Sequence, residues 1–525
     1  MRSAEIVLAL VALGTVGAAF ANRLRVPAPS LLVVAGLVVG LMPGVPAVRV
    51  TPEVVSFVVL PPLLWAATND LPGRDLRAVW RPVVVLAVGL VLASAAAVAV
   101  VLSAIAAVPA AMAFVLGAVL ASTDPVAVSA LGRRLALPPR VQALVQAESL
   151  FNDGTSLVLF QIAVSFAVGS SVAAGWGSVL WHGTVQFVVL AGGGALAGAL
   201  IGAAVVMVRR RITDPVLESV VALVAPYAAY VAGQQAHVSG VTAVIVAGLI
   251  VGARRTQITT PATRLQVDAV YLTVIFLLES VVFSLIGLEL PTLVRDLARP
   301  GLWPLTALAL AATLIVTRAL WVFPLWAGRQ WRQGQRRPSW TTPAVISWAG
   351  TRGVVPLAAA LSIPLTAADG SPLPQRDLLL VLAVGVIVIS LITQGLTLEP
   401  LVRRTAIAQP AASTRQEEAT AQLRMSEAGL VRLDELAASQ EVPAAVIDRM
   451  RQILGTRAGH ARDQIAADDG REPQLTERDV RRDVLTAQGN ELSRLYADGV
   501  ISAATCLRLQ RTLDLETTRL SNDTG

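Results

Sequence analysis

Through residue 403 the chain repeats one pattern: an apolar run of about 20 positions, a short loop rich in arginine or proline, then another apolar run. Helices of that length cross a hydrocarbon core of about 30 Å. The stretch 82–108 contains no ionisable residue at all. The pattern predicts thirteen membrane helices, near residues 4–21, 28–43, 53–69, 82–108, 109–131, 141–168, 176–208, 214–235, 239–253, 267–290, 301–327, 339–365 and 376–402. No convincing cleavage site follows the first of these, which is read as a helix rather than a removed leader. From about residue 406 arginines and acids intermix at helical spacing, as in "EAGLVRLDELAAS" and "GNELSRLYADGVIS". The expected fold is therefore an all-α membrane protein, with a membrane domain over 1–403 and a cytoplasmic helical tail over 404–525.

Composition agrees. Of the 525 residues 55% are hydrophobic and only 15% charged, with a mean hydropathy of +0.66, too apolar for a soluble globular chain. The net charge of +7 divides into +10 over 1–403 and −3 over 404–525, so the basic character belongs to loops between membrane segments and implies no nucleic-acid partner. Alternate loops differ sharply. Those holding Arg23/Arg25, Arg74/Arg77/Arg81, Arg133/Arg134/Arg140, Arg209–Arg211, Arg254/Arg255/Arg264 and Arg329/Arg332/Arg336/Arg337 carry 18 arginines, the opposite loops and N-terminus five. The positive-inside rule makes the first set cytoplasmic, with the N-terminus outside and the C-terminus inside. Cys506 is the only cysteine, so no internal disulfide forms.

Against this background a few polar residues stand out. In "ESLFNDGTSLVLF" (148–160), Ser149 and Asp153 lie four apart and share a helix face, as do Glu148 and Asn152. A mid-membrane acid costs about 2.5–3.5 kcal/mol on insertion scales, so it marks a function. A buried carboxyl is neutralised either by a proton or by a small hard cation such as Na⁺, and a site that takes one or the other is the minimum device for exchanging them. In "ASTDPVAV", Pro125 lacks an N–H and clashes with the carbonyl of Ala121, which predicts a break near residues 122–124. Asp124 suits the positive end of the half-helix beyond it. In "SWAGTRGVVPLAAALSIP", Gly350, Gly353 and Pro356 weaken the helix around Arg352, whose natural partners are Glu148 and the carbonyl ends of half-helices. The two interrupted helices, fifth and twelfth, are seven crossings apart and run oppositely, as an inverted repeat of helices 1–6 with 8–13 requires. Such paired breaks mark a transporter's midplane site.

The chain resembles the monovalent cation:proton antiporters, the family of the sodium/proton exchangers. The resemblance is carried by "LPPLLWAA" (60–67), "STDPVAVSAL" (122–131), "ESLFNDGTSLVLF" (148–160), "HVSGVTAVIVAGLIVG" (237–252), "VFSLIGLELP" (282–291) and "WAGTRGVVPLAAALSIP" (348–364). It implies a homodimer whose core holds two crossed unwound helices. It also implies Asp153 as the proton/cation carboxylate with Asn152 beside it, and Ser149, Thr123 and Asp124 completing the site. Glu148 would pair with Arg352. An Asn-Asp pair implies electroneutral exchange, with Na⁺ or K⁺ and H⁺ as the ions moved and the bilayer of the cell membrane as the setting. In one departure, Ala66 stands where many relatives carry an acid, and Asp70 lies too near the cytoplasmic end to replace it.

Glu279, in "FLLESVVFSLIGLEL", falls near the centre of the tenth helix, the repeat partner of the third. It is expected to lend a carboxylate to the ion pathway; the alternative is a protonated side chain bonded across helices. Glu218, four residues after Asp214, is expected to cap a helix start. No phosphate-binding loop, metal-ligand cluster or nucleophile–base pair stands out, so neither a cofactor nor an enzymatic activity is expected. The competing readings are a K⁺-selective exchanger, a membrane ion or pH sensor signalling through 404–525, and a membrane-embedded transferase or hydrolase.

Overall fold

The structure of the chain is a computed structural model. It describes residues 27–42, 55–124 apart from Asp70 and Pro72, 137–168, 176–297 apart from Thr213, 301–332, 339–405 apart from 368–370, 411–438 and 442–466, with short runs and single positions elsewhere. Most of the expected first helix, Pro125, Arg133 and Arg134 lie outside the described residues.

Contacts divide the chain into two compact units, 1–409 and 410–525. In the first, the helices are α1 (Ala28–Leu41), α2 (Leu60–Asn69), α3 (Gly73–Val84), α4 (Val91–Ala106), α5 (Ala110–Ala121), α6 (Pro139–Val168), α7 (Trp176–Arg209) and α8 (Pro215–Gln235). They continue as α9 (Gly240–Ile258), α10 (Pro261–Asp296), α11 (Trp303–Arg332), α12 (Thr341–Trp348), α13 (Val354–Leu361) and α14 (Arg376–Thr405). A π-type turn over Val85–Leu90 joins α3 to α4 without ending the helical path. Among the described residues the only β contact is an isolated bridge between Thr366 and Pro372.

Seven described helices are long and apolar enough to cross a membrane, and α1, α2 and α5 are shorter apolar helices. Several extend beyond their expected ends. Apolar content marks only the part inside hydrocarbon, whereas caps set the true start. Thr260 caps α10 by accepting from Thr263 N–H, and Ser239 caps α9 from Thr242 N–H. The expected twelfth helix, 339–365, is two helices of eight residues, α12 and α13, parted at 349–353. Of the seven spans α14 is the most buried. It packs against both short helices, and α5 packs between α4 and α6.

Glu218 does not cap α8. Asp214 does, accepting from Val216 N–H at 2.7 Å and Leu217 N–H at 3.1 Å. Glu218 lies one turn further in, buried, and accepts both Nε and Nη2 of Arg209. An N-cap oxygen reaches the N2 and N3 amides from the residue before the helix, so the earlier acid holds the geometry. Arg209, read as a loop residue, is thereby a buried partner at the end of α7.

The second unit holds α15 (Ala411–Ala438) and α16 (Ala444–Ala466), packed on one another and joined by exposed Arg451–Asp434 and Arg462–Glu427 pairs. Such pairs contribute little stability. Ala419, Ile447, Ala458 and Ala461 are buried in this unit.

Candidate functional site

The site grows out of two helix ends inside the membrane unit. Helix α5 stops at Ala121, and Ser122 takes extended backbone angles. Its last carbonyls have no helical donors, and in a membrane interior no water replaces them. Arg352 fills the gap, donating from Nη1 to Ala121 O at 2.7 Å and to Ser122 O at 2.6 Å. At the other break, α13 begins with amides that lack helical acceptors. Asp124 Oδ2 accepts from Val354 N–H at 3.3 Å. Between the two, Asp124 N–H donates to Thr351 O and Thr351 Oγ1–H donates to Asp124 O, both at 2.7 Å. The end of α5 and the start of α13 thus each meet a charge carried by the other segment.

The glycines of "GTRG" make this approach possible. A Cβ on Gly353 would run into the Asp124 carboxylate, and one on Gly350 would press on Arg318 Cδ and Nε. Pro356 sits in the first turn of α13, where a missing N–H leaves no helical bond unmade.

Helix α6 lies along the end of α5 with one polar stripe. Ser149 Oγ–H donates to Thr123 O at 2.5 Å, Asn152 Nδ2 to Thr123 Oγ1 at 3.3 Å, and Ser156 Oγ–H to Ala118 O at 2.7 Å. Ser122 Oγ–H donates to Asp153 Oδ1. Positions 149, 152, 153 and 156 fall on one face by the 3.6-residue period, which puts their polar atoms against one stretch of opened backbone. All four are buried, as are Thr123 and Asp124. Asn152 Oδ1 is buried without a hydrogen-bond partner among the described residues. It is a neutral oxygen next in sequence to a carboxylate, and oxygens of these two kinds suit a hard cation.

Glu148, expected opposite Arg352, is instead held by Arg318 of α11. Nη1 donates to Oε1 at 2.7 Å and Nη2 to Oε2 at 2.5 Å, a bidentate pair with both side chains 2% exposed or less. Arg318 Nε donates to Ile346 O of α12. The reason is geometric: Arg352 is committed to the α5 carbonyls, while the planar fork of Arg318 matches the Glu148 carboxylate in two parallel bonds. The signal for Arg318 is an arginine in the middle of the apolar run 301–327. Ser122, read from the sequence only as the start of the break, and Thr351, not singled out there, are further members of the network.

Glu279 is half-buried on α10. Glu289, in the segment "VFSLIGLELP", is buried on the same helix, and its Oε2 has no hydrogen-bond partner among the described residues. Ala66 is half-buried on α2.

The buried pair generates a prediction. Arg318→Ala strands Glu148 in the interior and should lower stability by about 3–5 kcal/mol, read as a large drop in thermal unfolding temperature. Adding Glu148→Gln should restore part of that loss. The coupling in this double-mutant cycle should exceed that between Glu148→Gln and Arg352→Ala. Equal or larger coupling with Arg352 would reject the pairing.

Residues 6–404 match the model of the sodium/hydrogen exchanger transmembrane family. An uncharacterized Na(+)/H(+) exchanger of Mycobacterium tuberculosis is 34% identical over 98% of this chain and 96% of its own length. The Na(+)/H(+) antiporter ApNhaP of Aphanothece halophytica is 31% identical, with 82% of this chain and 79% of the relative covered. A sodium, potassium, lithium and rubidium/H(+) antiporter of Bacillus pumilus is 30% identical over 71% of this chain and 57% of that protein. The fold is similar to that of the sodium proton antiporter MjNhaP1 of Methanocaldococcus jannaschii, at TM-score 0.62 and 19% identity, over 78% of this chain and 99% of that one. These relatives are transporters, not enzymes. The chain belongs to the sodium/hydrogen exchanger family and is a multi-pass membrane cation/proton antiporter.

Proposed function

We propose that the chain exchanges one monovalent cation for one proton by competition at Asp153. The observation that carries this is the balance of buried charge. Arg318 and Arg352 stand against Glu148, Asp124 and Asp153, all less than a tenth exposed. Arg318 is committed to Glu148, and Arg352 and Asp124 each occupy a helix end. With all five ionised the cluster carries one net negative charge, which a single proton or a single monovalent cation neutralises. Doubly neutralised or empty states leave a net charge in low dielectric, which is expensive.

In this reading Asp153 is the shared ligand, with Asn152 Oδ1 and oxygens of Ser149, Thr123 and the opened α5 backbone around it. Asp124 holds the break, Glu148 and Arg318 fix α6 to α11, and Arg352 compensates the α5 carbonyls. The two interrupted helices cross as opposed halves of an inverted repeat within thirteen membrane helices. Glu279 acts as a tuning carboxyl on the pathway rather than a ligand of the site. Residues 1–403 form the exchanger domain, and 404–525 a cytoplasmic tail. The arginine asymmetry between loops supports an external N-terminus in the cell membrane, and the family resemblance supports a homodimer. Na⁺ is the leading cargo. A K⁺-handling exchanger is the second reading, favoured by the Bacillus pumilus relative, named for several alkali cations.

Two outcomes follow. Asp153→Asn should abolish exchange while the protein still folds, since an amide neither titrates nor supplies a charged ligand. Cation-dependent dissipation of a pH gradient at the wild-type rate in reconstituted vesicles would refute the assignment. Exchange should also be electroneutral, so an imposed membrane potential should leave its rate unchanged. A rate that follows the potential would bring a second carboxyl, Glu279 or Glu289, into the exchange step.

A further inference from the structure

The break between α12 and α13 carries Arg352, yet each flanking helix has only eight residues. Isolated helices that short do not hold their own ends. Had the helix been continuous, Arg352 N–H would donate to the carbonyl four residues earlier, that of Trp348. In the structure that bond is replaced by two side chains of α14. Arg352 N–H donates to Ser390 Oγ at 3.1 Å, Ser390 Oγ–H donates to Gln394 Oε1 at 2.6 Å, and Gln394 Nε2 donates to Trp348 O at 3.2 Å. Ser390 is 4% exposed and Gln394 3%. Their spacing of four places both on one face of α14, turned to the break.

We propose that Ser390 and Gln394 are positioning residues for exchange, inserted into one missing helical hydrogen bond so that Arg352 stays on the carbonyls of α5. This rests on the reading of Asp153 as the exchange carboxylate.

The direction of the link is as follows. Ser390 and Gln394 satisfy both groups that would otherwise close the helix or remain unpaired in the interior. Without them the Arg352 backbone is free to reset toward Trp348, and its guanidinium leaves Ala121 O and Ser122 O. The charged groups around Arg352 are Arg318 from α11, Glu148 and Asp153 from α6, and Asp124 at the end of α5. Of these, Glu148 is held by Arg318 and Asp124 by the α13 amide. Asp153 is the group whose ionised form loses support when Arg352 moves away. A proton then competes better against the cation.

The test is cation/proton exchange by the full chain in vesicles, comparing Ser390→Ala, Gln394→Leu, their combination, and Ser390→Thr. Half-saturating Na⁺ concentration and the pH of half-maximal exchange are read apart from maximal rate. Each single loss should weaken apparent Na⁺ affinity about three- to tenfold, the range of one hydrogen bond. It should also move the pH of half-maximal exchange upward. The combination should match the worse single variant, because the chain of bonds breaks once. Ser390→Thr keeps the hydroxyl and should stay within about twofold of wild type, the ordinary scatter of a conserved contact. Unchanged half-saturation and pH midpoint, with only maximal rate or thermal stability lowered, would overturn the proposal and leave ordinary packing. Should the variants not fold, hydrogen exchange in the wild-type protein decides: the Arg352 amide should be protected although it lies outside a helix, and exchange within seconds would overturn it. Loss of activity in Asp153→Asn with wild-type kinetics in both α14 variants would reject this inference alone; activity in Asp153→Asn would reject the reading beneath it.

Discussion

The reciprocal capping of two helix ends is the constraint on which the rest depends. Inside a bilayer a broken helix leaves backbone groups that water cannot reach, each expensive by several kcal/mol. Here α5 ends against the Arg352 guanidinium and α13 begins at the Asp124 carboxylate, while Thr351 and Asp124 exchange backbone contacts between them. Neither end is tolerable alone. Together they open carbonyl and hydroxyl oxygens at Ser122 and Thr123 that an unbroken helix would hide, and the stripe of α6 at Ser149, Asn152 and Asp153 lies against them.

Charge follows from the same arrangement. The bidentate Arg318–Glu148 pair is closed on itself, and pairs of that kind lose more by separation than they gain in stability over an apolar alternative. They tie α6 to α11 at a fixed register, and in the proposed mechanism they take two charges out of the exchange. Arg352 and Asp124 are neutralised by helix ends as much as by other residues. In the proposed mechanism this leaves Asp153 as the group whose state is open to change, which is why the same cluster can be both rigid and chemically switchable.

Much of this is legible in the sequence, and for physical reasons. The costs of Asp153, Asp124 and Arg352 in a hydrocarbon core are large, so their presence in apolar runs declares a site. The shared faces of Ser149 with Asp153 and of Glu148 with Asn152 follow from helix period alone. The weakness of the helix around Arg352 is visible in its glycines, though their service to close approach at Arg318 and Asp124 is visible only in space. Partner choice is not legible. Glu148 and Arg318 are 170 residues apart, and no periodicity links them. Ser390 and Gln394 are neutral and inexpensive in a membrane helix, so nothing in their local setting marks them. The role of Asp214 over Glu218 is decided by one residue of helix boundary, the scale at which sequence patterns blur.

The most direct test of the central claim counts protons. Purified protein in weakly buffered detergent solution is titrated with Na⁺, with bound cation measured by calorimetry and released protons by an indicator dye. The account predicts one proton released per cation bound in the wild type and none from Asp153→Asn. Two protons per cation, or undiminished release from the variant, would contradict it.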